Sequence, residues 1–272
     1  MAMKIAFVGG GNMASAIIGG LIAKGTPAGS IVVIEIDPAA RLRLMGDFGV
    51  TTVEAPGAEL ATATAVILAV KPQHMRDVAV RVGAQAGDPL FVSIAAGIRL
   101  ENLSRWLGHR TRVVRAMPNT PAMVHAGITG LYASGGVDRD DREAAQNLMA
   151  SVGATLWFDR EEDLDAVTAV SGSGPAYVFY AMEALEDAAR RLGLAEGAAR
   201  SLALWTFVGA AKLAIERGED PAVLRAQVTS RGGTTERALE VLESAGVKEL
   251  FIDAVRAACE RSRELGDALG KE

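Results

Sequence analysis

Cysteine is almost absent from this chain: Cys259 is the single example in 272 residues. One thiol excludes an internal disulfide framework and a multi-cysteine zinc site, and it fits a reducing compartment. Cys259 itself reads as a small hydrophobe buried on a helix. Histidine is nearly as scarce. His74, His109 and His125 are scattered, and none pairs with a nearby serine, cysteine or acid at catalytic or metal-ligating spacing, so no metal is expected. Positive charge is not in excess either. Lys and Arg number 28 against 33 Asp and Glu, a net charge of −5, which argues against a nucleic-acid partner, since that needs a basic face. Long apolar runs are missing. The longest, residues 202–215, is interrupted by Lys212 and reads as too short to span a bilayer. The first residues lack the charged region and apolar stretch of a signal peptide. A cytoplasmic protein with no membrane contact is expected.

What is present is ordinary in bulk and specific in detail. Half the residues are hydrophobic and 22% are charged, as in globular proteins of one large or two modest domains. The informative stretch comes first. Lys4-Ile5-Ala6-Phe7-Val8 is a short apolar run, Gly9-Gly10-Gly11-Asn12-Met13-Ala14 follows at once, and a helical segment begins near Ser15. Strand, glycine turn and helix in this order form the G-x-G-x-x-G/A fingerprint of a dinucleotide site. Gly9 allows the tight turn, Gly11 lets a pyrophosphate approach the backbone, and Ala14 lets the helix lie close to the strand. The helix start then offers free N–H groups and a positive dipole end.

Up to about residue 158, short β-rich runs alternate with helical stretches. The expected strands are 4–8, 30–36, 65–68, 90–93, 112–116, 127–132 and 154–158. Such alternation implies βαβ units and a parallel sheet, a Rossmann-type α/β domain. Ligands in such a sheet sit beyond the carboxyl ends of the strands, so the residues just after each strand are the candidates. Glu35, Ile36 and Asp37 follow the second. An acid there commonly bonds the ribose hydroxyls of NAD, whereas an arginine accommodates the 2′-phosphate of NADP. Asp37 precedes Pro38 and fits a helix N-cap equally well. Ala69-Val70-Lys71-Pro72 follow the third strand. Lys71 is read either as charge beside the ligand or as solvated surface. Ala95, Ala96 and Gly97 follow the fourth and are small enough for a flat ring to approach the backbone. Met117-Pro118-Asn119-Thr120-Pro121 follow the fifth. The Asn119 amide is a candidate partner for a nicotinamide carboxamide, with an ordinary turn role as the alternative.

After Asp159 the texture changes. A charged connector, Arg160-Glu161-Glu162-Asp163, leads to five expected helices over about 175–192, 195–217, 221–228, 233–244 and 247–269. Several are apolar on more than one face and must be covered, which implies a helical, isologous dimer interface. One stretch does not look like packing. Thr229-Ser230-Arg231-Gly232-Gly233-Thr234-Thr235-Glu236 joins two helices and offers a backbone nest for a small anion such as a carboxylate. Its bland alternative is a glycine linker with a threonine N-cap. The expected organisation is therefore a nucleotide domain over residues 1–160 and an all-α domain over residues 161–272.

Taken together, these stretches resemble the pyrroline-5-carboxylate reductase family, in its order and over nearly the whole chain. The glycine turn is shared with many dehydrogenases. The Met-Pro-Asn-Thr-Pro segment at 117–121 and Gly-Gly-Thr-Thr at 232–235 are far more specific. The resemblance implies an N-terminal Rossmann domain and an all-α C-terminal dimerisation domain, with dimers sometimes assembled into rings. It implies reduction of L-1-pyrroline-5-carboxylate to L-proline, the last step of proline biosynthesis, by NADPH or NADH. Ser230, Gly232, Gly233, Thr234 and Thr235 would hold the substrate, with Thr235 at the ring nitrogen. Gly9, Gly10, Gly11, Asn12, Met13, Glu35, Asp37, Ala69, Val70, Lys71, Pro72, Ala95, Ala96, Gly97 and Asn119 would line the cofactor. The active site would combine the nucleotide domain of one subunit with helices that include its partner's.

The chain departs from the family pattern in two places. Many members carry Ser-Asn-Arg or a similar trio where this chain has Glu35-Ile36-Asp37, and two carboxylates would repel a 2′-phosphate. Arg231 stands where many members have proline. Rival readings are a related imine reductase, a β-hydroxyacid dehydrogenase or a nucleotide-binding regulatory protein without catalysis. The hydroxyacid enzymes use a lysine in the first long helix of the second domain, and residues 175–192 contain none.

Overall fold

The structure is a computed structural model that describes residues 3–271. The described residues divide into two compact units, 3–173 with 258–271, and 174–257. The first begins with β1 (Ile5–Val8), α1 (Asn12–Ala23), β2 (Ile31–Ile34), α2 (Pro38–Phe48) and β3 (Thr51–Val53). It continues through α3 (Ala58–Thr62), β4 (Ala65–Leu68), α4 (Met75–Gln85), β5 (Leu90–Ser93), α5 (Leu100–Trp106) and β6 (Val113–Met117). Then come β7 (Gly127–Ala133), α6 (Arg139–Ala150), β8 (Gly153–Trp157) and α7 (Asp163–Val167). The eight strands form one sheet in the order β3-β2-β1-β4-β5-β6-β7-β8. Chain order reverses at β1, so the glycine turn that follows β1 lies at the topological switch point where ligands bind in such sheets.

The sheet is buried on both sides, which is why its central strands are continuous apolar runs. Side chains alternate across it. Ile5 and Phe7 join Ile17, Ile18, Leu21 and Leu44 on one face, while Ala6 and Val8 join Met75, Val82, Phe91 and Trp106 on the other.

Two features of the sheet differ from the sequence expectation. β3 is an additional edge strand, paired to β2 through Val32↔Thr51 and Ile34↔Val53. The sheet is also not wholly parallel, because β7 runs antiparallel to β6, with Val114 opposite Ala133 and Met117 opposite Gly130. Residues 118–126 between them hold no crossover helix, only a 3₁₀ turn over Thr120–Val124 ending at His125 in the left-handed region. Without a crossover the chain must return antiparallel.

The second unit contains α8 (Gly174–Arg191), α9 (Glu196–Arg217), α10 (Pro221–Gln227), α11 (Thr234–Ser244) and the first part of α12 (Val247–Lys271). These are the expected helices. Asp220 caps α10 by accepting from Ala222 N–H at 2.7 Å, and Gly218 closes α9 in the left-handed conformation at φ 62°. The apolar run at 202–215 is one part of the longer α9, whose 22 residues are long and apolar enough to cross a membrane by length and composition. That corrects the reading of this stretch as too short. Cys259 is half-buried on α12, not sequestered.

The C-terminal part of α12 belongs to the first unit. Ser262 Oγ donates to Asp165 Oδ1 at 2.7 Å, and Asp165 Oδ2 accepts from Arg99 at 2.7 Å. Beside this pair, Arg115 on β6 is ion-paired with Glu161 at 2.6 Å. Burial lowers the Arg115 pKa, and the hydrogen bond with Glu161 opposes that shift. Glu161 also accepts from the Leu100 N–H at 2.6 Å, so the segment after β5 is held at its far end by charged groups.

Candidate active site

The glycine turn folds as its spacing requires. Gly9 has φ +99°, and a Cβ there would stand 2.8 Å from the Ala69 carbonyl oxygen. Glycine is needed on both counts. Gly10 packs under α2, where a Cβ would meet Leu44 at 2.5 Å. Gly11 is the N-cap of α1 with no side-chain cap, and nothing lies within 4 Å of where its Cβ would be. Asn12 opens the helix, Met13 follows, and Ala14 is buried beneath it. The turn thus shows the open backbone and uncapped helix start that suit a pyrophosphate.

A cleft of about 520 Å³ adjoins the turn, lined by Gly9, Gly11, Glu35, Ala69, Val70 and Lys71 among others. These expected residues are brought together. Ala95, Ala96, Gly97 and Asn119 do not line this cleft. Gly97 instead has φ +77° and faces α12, where a Cβ would lie 3.4 Å from Leu269. The Asn119 carboxamide is engaged with the backbone. Its Oδ1 accepts from Ile128 N–H at 2.9 Å and its Nδ2 donates to the Ser171 carbonyl at 3.1 Å. Pro72 opens a short 3₁₀ turn over Pro72–His74, and Lys71 is exposed.

In the β2–α2 turn the cap reading of Asp37 has a bond to support it. Its carboxylate caps α2, accepting from Ala39 N–H at 3.1 Å. Glu35 turns toward the glycine loop. Its Oε2 accepts from Gly10 N–H at 2.7 Å and its Oε1 from Asp37 N–H at 2.9 Å. Two arginines that sequence reasoning missed complete the turn. Arg41 donates to the Glu35 and Ile36 carbonyls at 2.7 and 3.0 Å, and Arg43 donates to the Gly10 carbonyl at 3.3 Å. The cleft also takes in Ile36, Pro56, His74, Val78 and Arg81. His74, Val78 and Arg81 follow the spacing of one helical face, a signal present in the sequence.

In the second unit, the segment before α11 makes a tight turn. Gly232 has φ +73°, and Gly233 N–H donates to the Ser230 carbonyl at 3.0 Å. Gly233, not a threonine, is the N-cap, and no side chain caps the helix. A glycine cap leaves the first N–H groups of α11, at Thr234 and Thr235, without a side-chain acceptor at the cap. The Gly232 N–H is occupied by Glu236 Oε2 at 2.6 Å. Ser230 and Arg231 are exposed, and Thr235 is half-buried.

A glycine turn at the switch point of a doubly wound sheet, with an acid after β2, defines a dinucleotide-binding protein of the Rossmann class. Residues 161–265 match the family model for pyrroline-5-carboxylate reductase dimerisation, and residues 4–97 match that for NADP oxidoreductase, coenzyme F420-dependent. The pyrroline-5-carboxylate reductase of Pseudomonas aeruginosa is 45% identical over 269 residues, covering 98% of each chain. A solved pyrroline-5-carboxylate reductase from Coxiella burnetii superposes with a TM-score of 0.93 at 41% identity, covering 97% of this chain and 99% of that one. The Plasmodium falciparum pyrroline carboxylate reductase, solved with NADP bound, gives a TM-score of 0.86 at 26% identity, covering 97% and 98%. The chain belongs to the pyrroline-5-carboxylate reductase family.

Proposed function

We propose that this protein reduces L-1-pyrroline-5-carboxylate to L-proline, the last step of proline biosynthesis, as a cytoplasmic homodimer. NADPH or NADH supplies the hydride. The residues beside β1 fit such a cofactor: the Gly11 approach is open, the α1 start is uncapped, and the adjoining cleft is large and mostly apolar. Gly9, Gly10, Gly11, Asn12 and Met13 would hold the pyrophosphate. Glu35 would face the ribose, and Ala69, Val70, Lys71 and Pro72 would form the opposite lip. Ala95, Ala96, Gly97 and Asn119 are proposed for the nicotinamide end.

The reading is carried by the uncapped turn before α11. The N–H groups at the start of α11 suit a carboxylate, so the turn of Gly232, Gly233 and Thr234 would hold the acid group of the substrate, with the Ser230 side chain beside it. The bonds would come from the Thr234 and Thr235 N–H groups, because those of Gly232 and Gly233 are bonded to Glu236 and to the Ser230 carbonyl. Thr235, in the first turn of α11, would hold the imine nitrogen. A protonated cyclic imine is already a good hydride acceptor, so orientation and one hydrogen bond suffice. That fits a chain whose three histidines are scattered and whose single cysteine stands alone in the sequence. The exposed faces of α8, α9, α11 and α12 would be covered by a second copy, and a ring of dimers is the larger assembly open to it. Such cover also accounts for α9 without a membrane.

The test is steady-state turnover of pyrroline-5-carboxylate by the wild type and by Thr235→Ala. The variant should lose about a hundredfold in kcat/KM while its affinity for the reduced dinucleotide stays the same. Unchanged kcat/KM removes Thr235 from the role. Absence of turnover by the wild type removes the function.

A further inference from the structure

We propose that Glu35 is the residue by which this protein selects NADH over NADPH. The proposal rests on the cleft beside β1 being the dinucleotide site. Three observations carry it. First, Glu35 is the residue immediately after β2, where the hydroxyls of an adenosine ribose are met in sheets of this topology. Second, its carboxylate is fixed. Oε2 accepts from Gly10 N–H at 2.7 Å and Oε1 from Asp37 N–H at 2.9 Å. A carboxylate has about four lone-pair sites, so acceptor sites remain for ribose hydroxyls, but the group cannot swing aside for a phosphate without breaking two bonds. Third, the arginines nearest the turn are bonded to backbone carbonyls. Arg41 is committed to the Glu35 and Ile36 carbonyls and lies 3.7 Å from Glu54, a second acid lining the cleft. Arg43 reaches the Gly10 carbonyl at 3.3 Å.

Discrimination therefore falls to Glu35 and not to Asp37, whose carboxylate caps α2. A 2′-phosphate carries nearly two negative charges, and placing it against a fixed carboxylate is repulsive. The second carboxylate in the cleft adds to this. Lys71 and Arg81, the basic residues of the lining, come from the segment after β4 and from α4, not from the β2–α2 turn.

The experiment is a fluorescence titration giving Kd for NADH and for NADPH with wild type, Glu35→Gln and Glu35→Ser, each checked for folding by thermal melting. The wild type should bind NADH about tenfold more tightly than NADPH. Glu35→Gln keeps the side-chain size and removes the charge, so the ratio should fall to within about threefold. Glu35→Ser also opens space and should bring the two affinities level or favour NADPH. Should the serine variant fail to fold, the glutamine variant decides alone. Wild-type affinity for NADPH equal to or above that for NADH overturns the proposal, as does a ratio unmoved by Glu35→Gln. Failure of the wild type to bind either dinucleotide overturns the cofactor reading on which it rests.

Discussion

The two units bury their apolar residues differently. In the first, Phe7, Phe91, Ile17 and Ile67 are fully buried, and the sheet has a packed cluster on each face. In the second, α8, α10 and α11 bury no residue, and α9 buries Ala199 and Ala203 alone. Phe179 is 64% exposed, Trp205 67% and Ile215 81%. Exposed apolar surface on this scale is not a feature of soluble monomers. The first unit covers its apolar faces within one chain, whereas the helices of the second do not, consistent with the match of residues 161–265 to a dimerisation model. Apolar composition alone does not reveal this difference. What separates the units is whether the chain can cover its own faces.

The largest expected effect strikes the second unit. In the proposed dimer, Trp205→Glu would place a carboxylate on each side of a symmetric interface, where an uncompensated buried charge costs about 3–5 kcal/mol. The dimer dissociation constant should rise at least a hundredfold, with Tm becoming more concentration-dependent. Light scattering after size exclusion reads this directly. A variant that stays dimeric at low micromolar concentration would show that α9 is covered in some other way, and the contrast between the units would weaken.

The next prediction belongs to the first unit. Asp165 is 1% exposed and holds both Arg99 and Ser262. Asp165→Ala leaves a guanidinium without its carboxylate and should cost about 3 kcal/mol, seen as a lower Tm in chemical and thermal unfolding. Unlike Trp205→Glu, it should leave the dimer dissociation constant unchanged after correction for unfolded protein. If the variant instead dissociates, the ion pair supports assembly as well as the first unit.

Features set by neighbours in the chain were legible from the sequence. The glycine turn, the αβ alternation and the five C-terminal helices depend on contiguous residue types, and β4 and β5 lie where their apolar runs place them. β3 was not legible, because Thr51-Thr52-Val53 is three residues long without an apolar run, and its pairing with β2 defines it. The direction of β7 was hidden for a related reason: it follows from the path of residues 118–126, not from the residues of the strand. The candidate site divides the same way. Gly9 and Gly11 announce themselves, but the bond from Gly10 to Glu35 spans 25 residues and that from Ser262 to Asp165 spans 97. Nothing in the local sequence marks Arg41 and Arg43, because the carbonyls they bond belong to the β2–α2 turn and the glycine turn.

The smallest expected effect separates Asp37 from Glu35. The two acids are two residues apart, and sequence alone cannot divide cap from ligand. In the structure Asp37 accepts from Ala39 N–H at 3.1 Å and is exposed. Asp37→Ala should therefore cost about 1 kcal/mol, the usual value of an N-cap, and Asp37→Asn should cost almost nothing because asparagine caps as well. Neither change should alter the ratio of NADH to NADPH affinity by more than about twofold, since neither removes the carboxylate of Glu35. Thermal melting and dinucleotide titration on the same samples check both halves. A large shift in the ratio with Asp37→Asn, at unchanged Tm, would make Asp37 a ligand as well as a cap. A loss of stability confined to the first unit, with the ratio preserved, would show a unit that absorbs local damage within its own core, which the helical unit has too little buried surface to do.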